Sequence, residues 1–193
     1  MQFMIEGVSV NIRIEGSNGV HRAAYRCCEN GAFGEEQAAV EIIVYTGDGK
    51  QKLTDAMAKG IEREESGEAK FPDFRYGIAD AKNTVRVMRE APVVIVVLNT
   101  NGKSPFIPVK EDGRIVEQCD ALSIGASIQN MLLRAQELGL GTLWIANTCF
   151  AYNELIEFIG TDNQLTGIVA VGAANEAPPK RPRKALRDVV EYR

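Results

Sequence analysis

Residues 93–98 read Val-Val-Ile-Val-Val-Leu, apolar without a break and opened by Pro92. Successive side chains of a strand point to opposite faces, so a run of this kind places apolar groups on both. It predicts a strand buried from two sides, and therefore a sheet with a covering layer on each face. Leu165 to Gly172 reads as another buried strand, and Val40 to Thr46 as a β-rich run closed by Gly47-Asp48-Gly49.

The covering layers show as helical spacing. Gln51 to Glu65 carries Leu53, Met57 and Ile61 on one stripe, and Ile78 to Glu90 reads as a second helix. The clearest helix runs from Cys119 to Leu138, with Ile124, Ile128, Met131, Leu132, Ala135 and Leu138 in register. Ser123, Gly125, Ala126 and Ser127 put small side chains along it, so another backbone can approach closely, and Gly139 supplies the stop. Thr142 to Ala146 is a short strand and Asn153 to Ile159 a short helix. Val8, Val10, Ile12 and Ile14 alternate as a strand does, with a turn at Gly16-Ser17-Asn18-Gly19. Ser66 to Arg75 and Asn99 to Gly113 read as loops, and the prolines after Ala177 predict an extended tail. Strands alternate with helices, which predicts an α/β or α+β fold, and the length suits a single domain over residues 1–193.

Composition narrows the function. The formal charge of -4 makes the chain a poor general nucleic-acid binder, and no apolar run approaches the roughly 18 residues a membrane helix needs. No basic-then-apolar leader is apparent at the N-terminus. The four cysteines, Cys27, Cys28, Cys119 and Cys149, form no C-x-x-C pair and read as reduced thiols, which predicts a cytoplasmic protein. The single histidine, His21, would have to carry any Ser-His-Asp triad or multi-histidine metal site alone; beside Arg22 it reads as a solvated surface residue. No metal ligand set and no catalytic nucleophile are assigned.

Three segments have the chemistry to hold a ligand, each with an ordinary structural alternative. Gly47-Asp48-Gly49-Lys50 lies between a strand and a helix, as a phosphate-binding turn does, but lacks the full P-loop pattern and reads as a plain connection. Leu138-Gly139-Leu140-Gly141-Thr142-Leu143 is also a connection on its face, with the only tryptophan, Trp144, immediately after it. In the tail, Arg181 and Arg183 flank Pro182. Residues two apart in an extended chain point the same way, so the two guanidiniums are placed either to grip one phosphate or simply to solvate a basic C-terminus. Lys180 to Arg193 holds six basic and two acidic residues, on an otherwise acidic chain.

From residue 91 onward the chain resembles the FMN-dependent nitroreductase family. The matching stretches are Ala91-Pro92-Val93-Val94-Ile95-Val96-Val97, then Ile124-Gly125-Ala126-Ser127-Ile128-Gln129-Asn130-Met131-Leu132-Leu133, then Glu137-Leu138-Gly139-Leu140-Gly141-Thr142-Leu143-Trp144-Ile145. Val171-Gly172 and the Arg-Pro-Arg-Lys tail complete them. Their order and spacing match together over about half the chain. The resemblance implies a central mixed sheet flanked by helices and a homodimer built around the long central helix, with FMN at the subunit interface. It implies that Trp144, Ile145, Ala146 and Asn147 lie against the isoalloxazine, with backbone amides toward flavin N5. Arg181 and Arg183 would hold the FMN phosphate. It also implies hydride transfer from NAD(P)H through the flavin to a nitroaromatic, quinone or similar small acceptor.

The N-terminal residues 1–41 depart from that family. An R-R-S-x-R helix and an A-P-S-x-x-N-x-Q-P-W loop are expected there, and Glu29 to Glu41 instead reads Glu-Asn-Gly-Ala-Phe-Gly-Glu-Glu-Gln-Ala-Ala-Val-Glu. Read one nucleotide later, the codons permitted for these residues include K-M-A-P-S-G-K-N-R-Q-P-W-K, the missing loop. A reading frame shifted upstream of about Ile42 and restored there is one origin; true divergence is the other, and the codons decide between them. Either way the N-terminal flavin contacts are absent as written, and Arg13, Arg22 and Arg26 have no spacing that assigns them those roles. A chain of this fold that has lost stable flavin binding is therefore the alternative to an active oxidoreductase.

Overall fold

The computed structural model describes residues 11–15 as backbone, and residues 39–66, 68–178 and 182–193 with side chains. Five strands form one sheet: β1 Asn11–Glu15, β2 Val40–Thr46, β3 Val93–Asn99, β4 Leu140–Ile145 and β5 Gln164–Ala173. Their order is β1-β2-β3-β5-β4; β1 runs parallel to β2, and every other neighbouring pair is antiparallel. The helices are α1 Gly47–Glu65, α2 Ile78–Glu90, α3 Glu111–Glu137 and α4 Tyr152–Ile159. The alternation of strands and helices predicted an α/β or α+β fold, and the sheet is the mixed, helix-flanked one that the family resemblance implied.

The unbroken apolar run of β3 is explained by what lies on each side of it. Val94, Val96 and Leu98 belong to a core shared with α1, α2 and α4, while Ile95 and Val97 pack with Ile124, Ile128 and Met131 of α3. Both faces are dry, so period-2 alternation of polarity has no place in this strand.

The predicted boundaries hold for β2 and α2, and Gly139 ends the central helix with φ +72. Of the strand expected at Val8 to Ile14, residues 11–14 lie in β1; Val8, Val10 and the turn at Gly16–Gly19 lie outside the described residues. Two loops carry more structure than expected. Ser66 to Arg75 runs into a 3-10 turn at Pro72–Gly77, and α3 starts at Glu111, eight residues before Cys119. Pro108 and the extended Lys110 precede that start, and Glu111 and Asp112 sit where the helix dipole favours anions. The buried stripe begins only at Ile124, so apolar periodicity could not reveal the earlier turns. Likewise β4 starts at Leu140, paired with Ala173, and ends before Ala146, whose backbone turns helical.

Candidate functional site

The segment singled out by its tryptophan sits at the end of an edge strand. Trp144 and Ile145 are consecutive in β4, so their side chains leave the sheet on opposite faces. Ile145 is buried in the core shared with α1, α2 and α4; any ligand contact it makes is through backbone. Trp144 projects to the α3 side and is 39% exposed. Its indole lies against two glycines. A Cβ on Gly167 would stand 3.0 Å from Nε1, and one on Gly125 would stand 3.8 Å from the ring edge. The small residues of α3 thus make room at Gly125 for an aromatic ring of the same chain. Ser127 is buried with its hydroxyl donating to Ser123 O at 3.1 Å.

Beyond Trp144 the chain is pinned from two sides. Asn147 Nδ2 donates to Thr84 Oγ1 at 3.1 Å, and Thr84 in turn donates to Asp80 O at 3.0 Å on α2. Asn147 Oδ1 is buried without a hydrogen-bond partner among the described residues, an acceptor waiting for a donor. Ala146 between them is exposed.

The following 3-10 turn, Asn147–Ala151, is tied to α1. Arg63 donates from Nη2 to Phe150 O at 3.0 Å and from Nε to Glu154 Oε1 at 2.7 Å, and its Nη1 meets the neighbouring Glu64 carboxylate. Glu64 is only 1% exposed and also accepts from the backbone N–H of Lys70 at 3.1 Å and of Phe71 at 3.0 Å. Burial alone pushes its carboxyl pKa up, but these donors outweigh burial and hold it below the ordinary glutamate value. Sequence reading missed this cluster. The signal was present: Glu64 continues the Leu53, Met57, Ile61 stripe, so a carboxylate occupies the apolar face of α1. Burial raises the pKa of the Cys149 thiol on the same turn, which argues against a reactive thiolate.

The remaining candidates are distributed differently. Lys50 Nζ donates to Arg89 O at 2.7 Å and Ala91 O at 3.0 Å, closing the C-terminus of α2. Gly47–Lys50, expected as a turn before a helix starting at Gln51, is instead the first turn of α1 itself, with Lys50 committed to those two carbonyls. The tail leaves β5 past Glu176, which Arg86 of α2 holds at 2.8 Å. Arg183 is exposed, with Nη1 donating to Pro182 O at 3.3 Å, while Arg181 lies outside the described residues. Among the described residues no group of three or more His, Cys, Asp or Glu side chains is placed to hold a metal. No helix there is long and apolar enough to cross a membrane.

Solved structures share this fold. A nitroreductase-like family protein from Bacillus cereus is 24% identical, covering 82% of this chain and 75% of its own, with a TM-score of 0.56. The FMN-dependent nitroreductase NfnB from Mycobacterium smegmatis, solved in complex with NADPH, is 14% identical over 80% and 78%, with a TM-score of 0.58. A nitroreductase with bound FMN from Desulfitobacterium hafniense is 19% identical over 81% and 76%, with a TM-score of 0.55. At these identities the likeness shows the fold. The family model described as the nitroreductase family matches residues 36–173 and leaves the first 35 outside. That match takes in the four strands β2 to β5, the helices α1 to α4 and the whole Trp144–Asn147 corner, and the chain belongs to the nitroreductase family.

Proposed function

We propose that the chain is an FMN-dependent oxidoreductase that carries reducing equivalents from NAD(P)H to a nitroaromatic, quinone or similar small acceptor. The observation that carries this reading is the family match over residues 36–173. The donor and acceptor set fits the cofactor. Arg183 offers an exposed guanidinium suited to a phosphate, and Asn147 Oδ1 is a buried acceptor with no partner among the described residues, suited to a ring N–H. Trp144, Ile145, Ala146 and Asn147 would hold the ring, Ile145 by its backbone, and Arg181 and Arg183 the phosphate. When bound, FMN supplies two-electron hydride chemistry that no side chain here offers. The chain's own part is to place that corner rigidly. Thr84 fixes Asn147, and Arg63 fixes the carbonyl of Phe150.

We infer further that the enzyme works as a homodimer through α3. Ile115, Cys119, Leu122, Ala126 and Leu133 lie at helical spacing on its outer side and are exposed, opposite the buried stripe of Ile124, Ile128 and Met131. Leu122→Glu places a charge on that exposed outer side, and sedimentation should show the dimer of the parent chain dissociating to monomers.

A second reading is a dimeric scaffold that has lost stable flavin binding. It is favoured by the family match starting at residue 36, so that the N-terminal arginines and the Ser/Asn loop are missing as written. Each lost charge-assisted contact weakens binding by roughly 1.5–3 kcal/mol, orders of magnitude in sum. Colour separates the readings. Yellow protein bleached by NAD(P)H supports the oxidoreductase, and colourless protein that FMN cannot reconstitute supports the scaffold. In the oxidoreductase, Arg183→Ala should weaken FMN binding about tenfold or more while leaving the dimer intact. Titration of FMN against Trp144 fluorescence checks it, and an unchanged affinity removes the phosphate role from Arg183.

A further inference from the structure

Thr84 is a polar residue on the buried stripe of α2, among Ile78, Ala81, Val85 and Met88, and is 6% exposed. Its hydroxyl donates to Asp80 O, one turn back along the helix, at 3.0 Å. A hydroxyl has one proton to give, so any further neighbour meets only its lone pairs. The Asn147 amide is that neighbour, and it turns its NH2 end to Thr84 Oγ1 at 3.1 Å.

The other end of the amide is left with a fixed polarity. Asn147 Oδ1 is buried and has no partner among the described residues. Turning the amide over would set its oxygen against Thr84, which could then serve Oδ1 or Asp80 O but not both. The present orientation is therefore favoured by one hydrogen bond, about tenfold. The backbone gives little slack: Ile145 is buried in the core, and Arg63 holds Phe150 O at 3.0 Å. Ala146, between Ile145 and Asn147, is exposed, so the corner is open to a ligand at that residue.

A free amide would rotate to suit either a donor or a hydrogen-bond acceptor, whereas a locked one discriminates between them. In a flavin ring, N3 carries a hydrogen in both redox states and would orient a free amide unaided. N5 changes: it offers a lone pair when oxidised and carries a hydrogen after hydride uptake. We propose that Asn147 Oδ1 accepts from that N5–H and makes the site prefer the reduced ring, with Thr84 as the positioning residue. This rests on the oxidoreductase reading above, in which the ring lies against Trp144 to Asn147. The hydride taken from NAD(P)H, one hydrogen nucleus with two electrons, becomes the N5–H, so the locked amide favours uptake over release.

The test uses the full FMN-loaded protein and reads the two-electron potential of bound FMN against a dye of known potential. FMN affinity is followed separately, oxidised and dithionite-reduced, by Trp144 quenching. Thr84→Val nearly keeps the side-chain shape and frees the amide; Thr84→Ser keeps the hydroxyl. In Thr84→Val the preference for reduced over oxidised FMN should fall about tenfold, lowering the potential by about 30 mV. Thr84→Ser should match the parent. Asn147→Ala should also lower the potential, and adding Thr84→Val to it should change nothing further. An unchanged potential in Thr84→Val or Asn147→Ala overturns the assignment with the flavin reading intact. So does an equal loss of affinity for both redox states, which would mark a contact to N3–H or a purely structural role. Failure of the parent chain to bind FMN removes the oxidoreductase reading, and this inference with it.

Discussion

Gly60→Ala should destabilise the fold by about 3 kcal/mol, although alanine is the better helix former. A Cβ at this position of α1 would stand 2.3 Å from Ala151 Cβ and 2.4 Å from Ala151 Cα, and 3.0 Å from Glu154 Oε2. Two of those three atoms cannot swing away as the end of a long side chain can. Either α1 lifts off the Asn147–Ala151 turn or the turn shifts, and the Arg63 bonds to Phe150 O and Glu154 stretch with it. The helix-propensity gain of about 1 kcal/mol offsets only part of this overpacking. Urea unfolding of the two proteins checks it. For a chain of this size the loss corresponds to a fall of roughly 6–12 °C in Tm. Gly113→Ala is the control: its Cβ meets nothing closer than Val109 Cβ at 3.9 Å, and stability should hold or rise slightly. Equal stability of Gly60→Ala and the parent would mean that α1 and the turn do not touch as described.

Glu64→Ala should cost about 3–5 kcal/mol, the usual consequence of removing one member of a buried ionic cluster. The Arg63 guanidinium and the N–H groups of Lys70 and Phe71 all point at its carboxylate, and all would lose their acceptor. Glu64→Gln should recover little, because an amide turns an NH2 group toward donors. The same cluster sets a pH dependence. Burial raises the Glu64 pKa, but its donors outweigh burial; Glu154 is lowered too, against its own burial, chiefly by Arg63. Both carboxylates therefore have folded-state pKa values below the unfolded ones. The stability they contribute is fully present above the ordinary glutamate range and is lost as pH falls through the folded values. Urea midpoints of the parent chain and Glu64→Gln should thus differ most near neutral pH and converge on acidification below about pH 4. A constant gap down to pH 3 would show that Glu64 contributes no ionised-state stability.

Much of the fold was legible because its signals are local. A strand sandwiched between helices has to be apolar on both sides, and β3 announces this in six consecutive residues. A helix lying on a sheet needs a stripe at 3.6-residue spacing, and α1, α2 and the second half of α3 carry one. Gly139 was readable as a helix stop because only the left-handed region closes that end cheaply. The first two turns of α3 were not readable, since their apolar residues Ile115 and Val116 face outward rather than into the core. Of the candidate site, the sequence pointed to the Trp144–Asn147 segment but not to how it packs: Ile145 into the core, Trp144 onto Gly125 and Gly167, Asn147 onto Thr84.

Periodicity, turn chemistry and family resemblance specified the layers, the breaks between elements and the segment to look at, because each depends on residues a few positions apart. The clamp around the turn depends on partners far apart: Arg63 and Glu154 are separated by 91 positions, and Thr84 and Asn147 by 63. No local pattern links such pairs. Only packing α1 and α2 against the end of β4 brings a buried carboxylate and an arginine to the same corner, where desolvation makes their hydrogen bonds count.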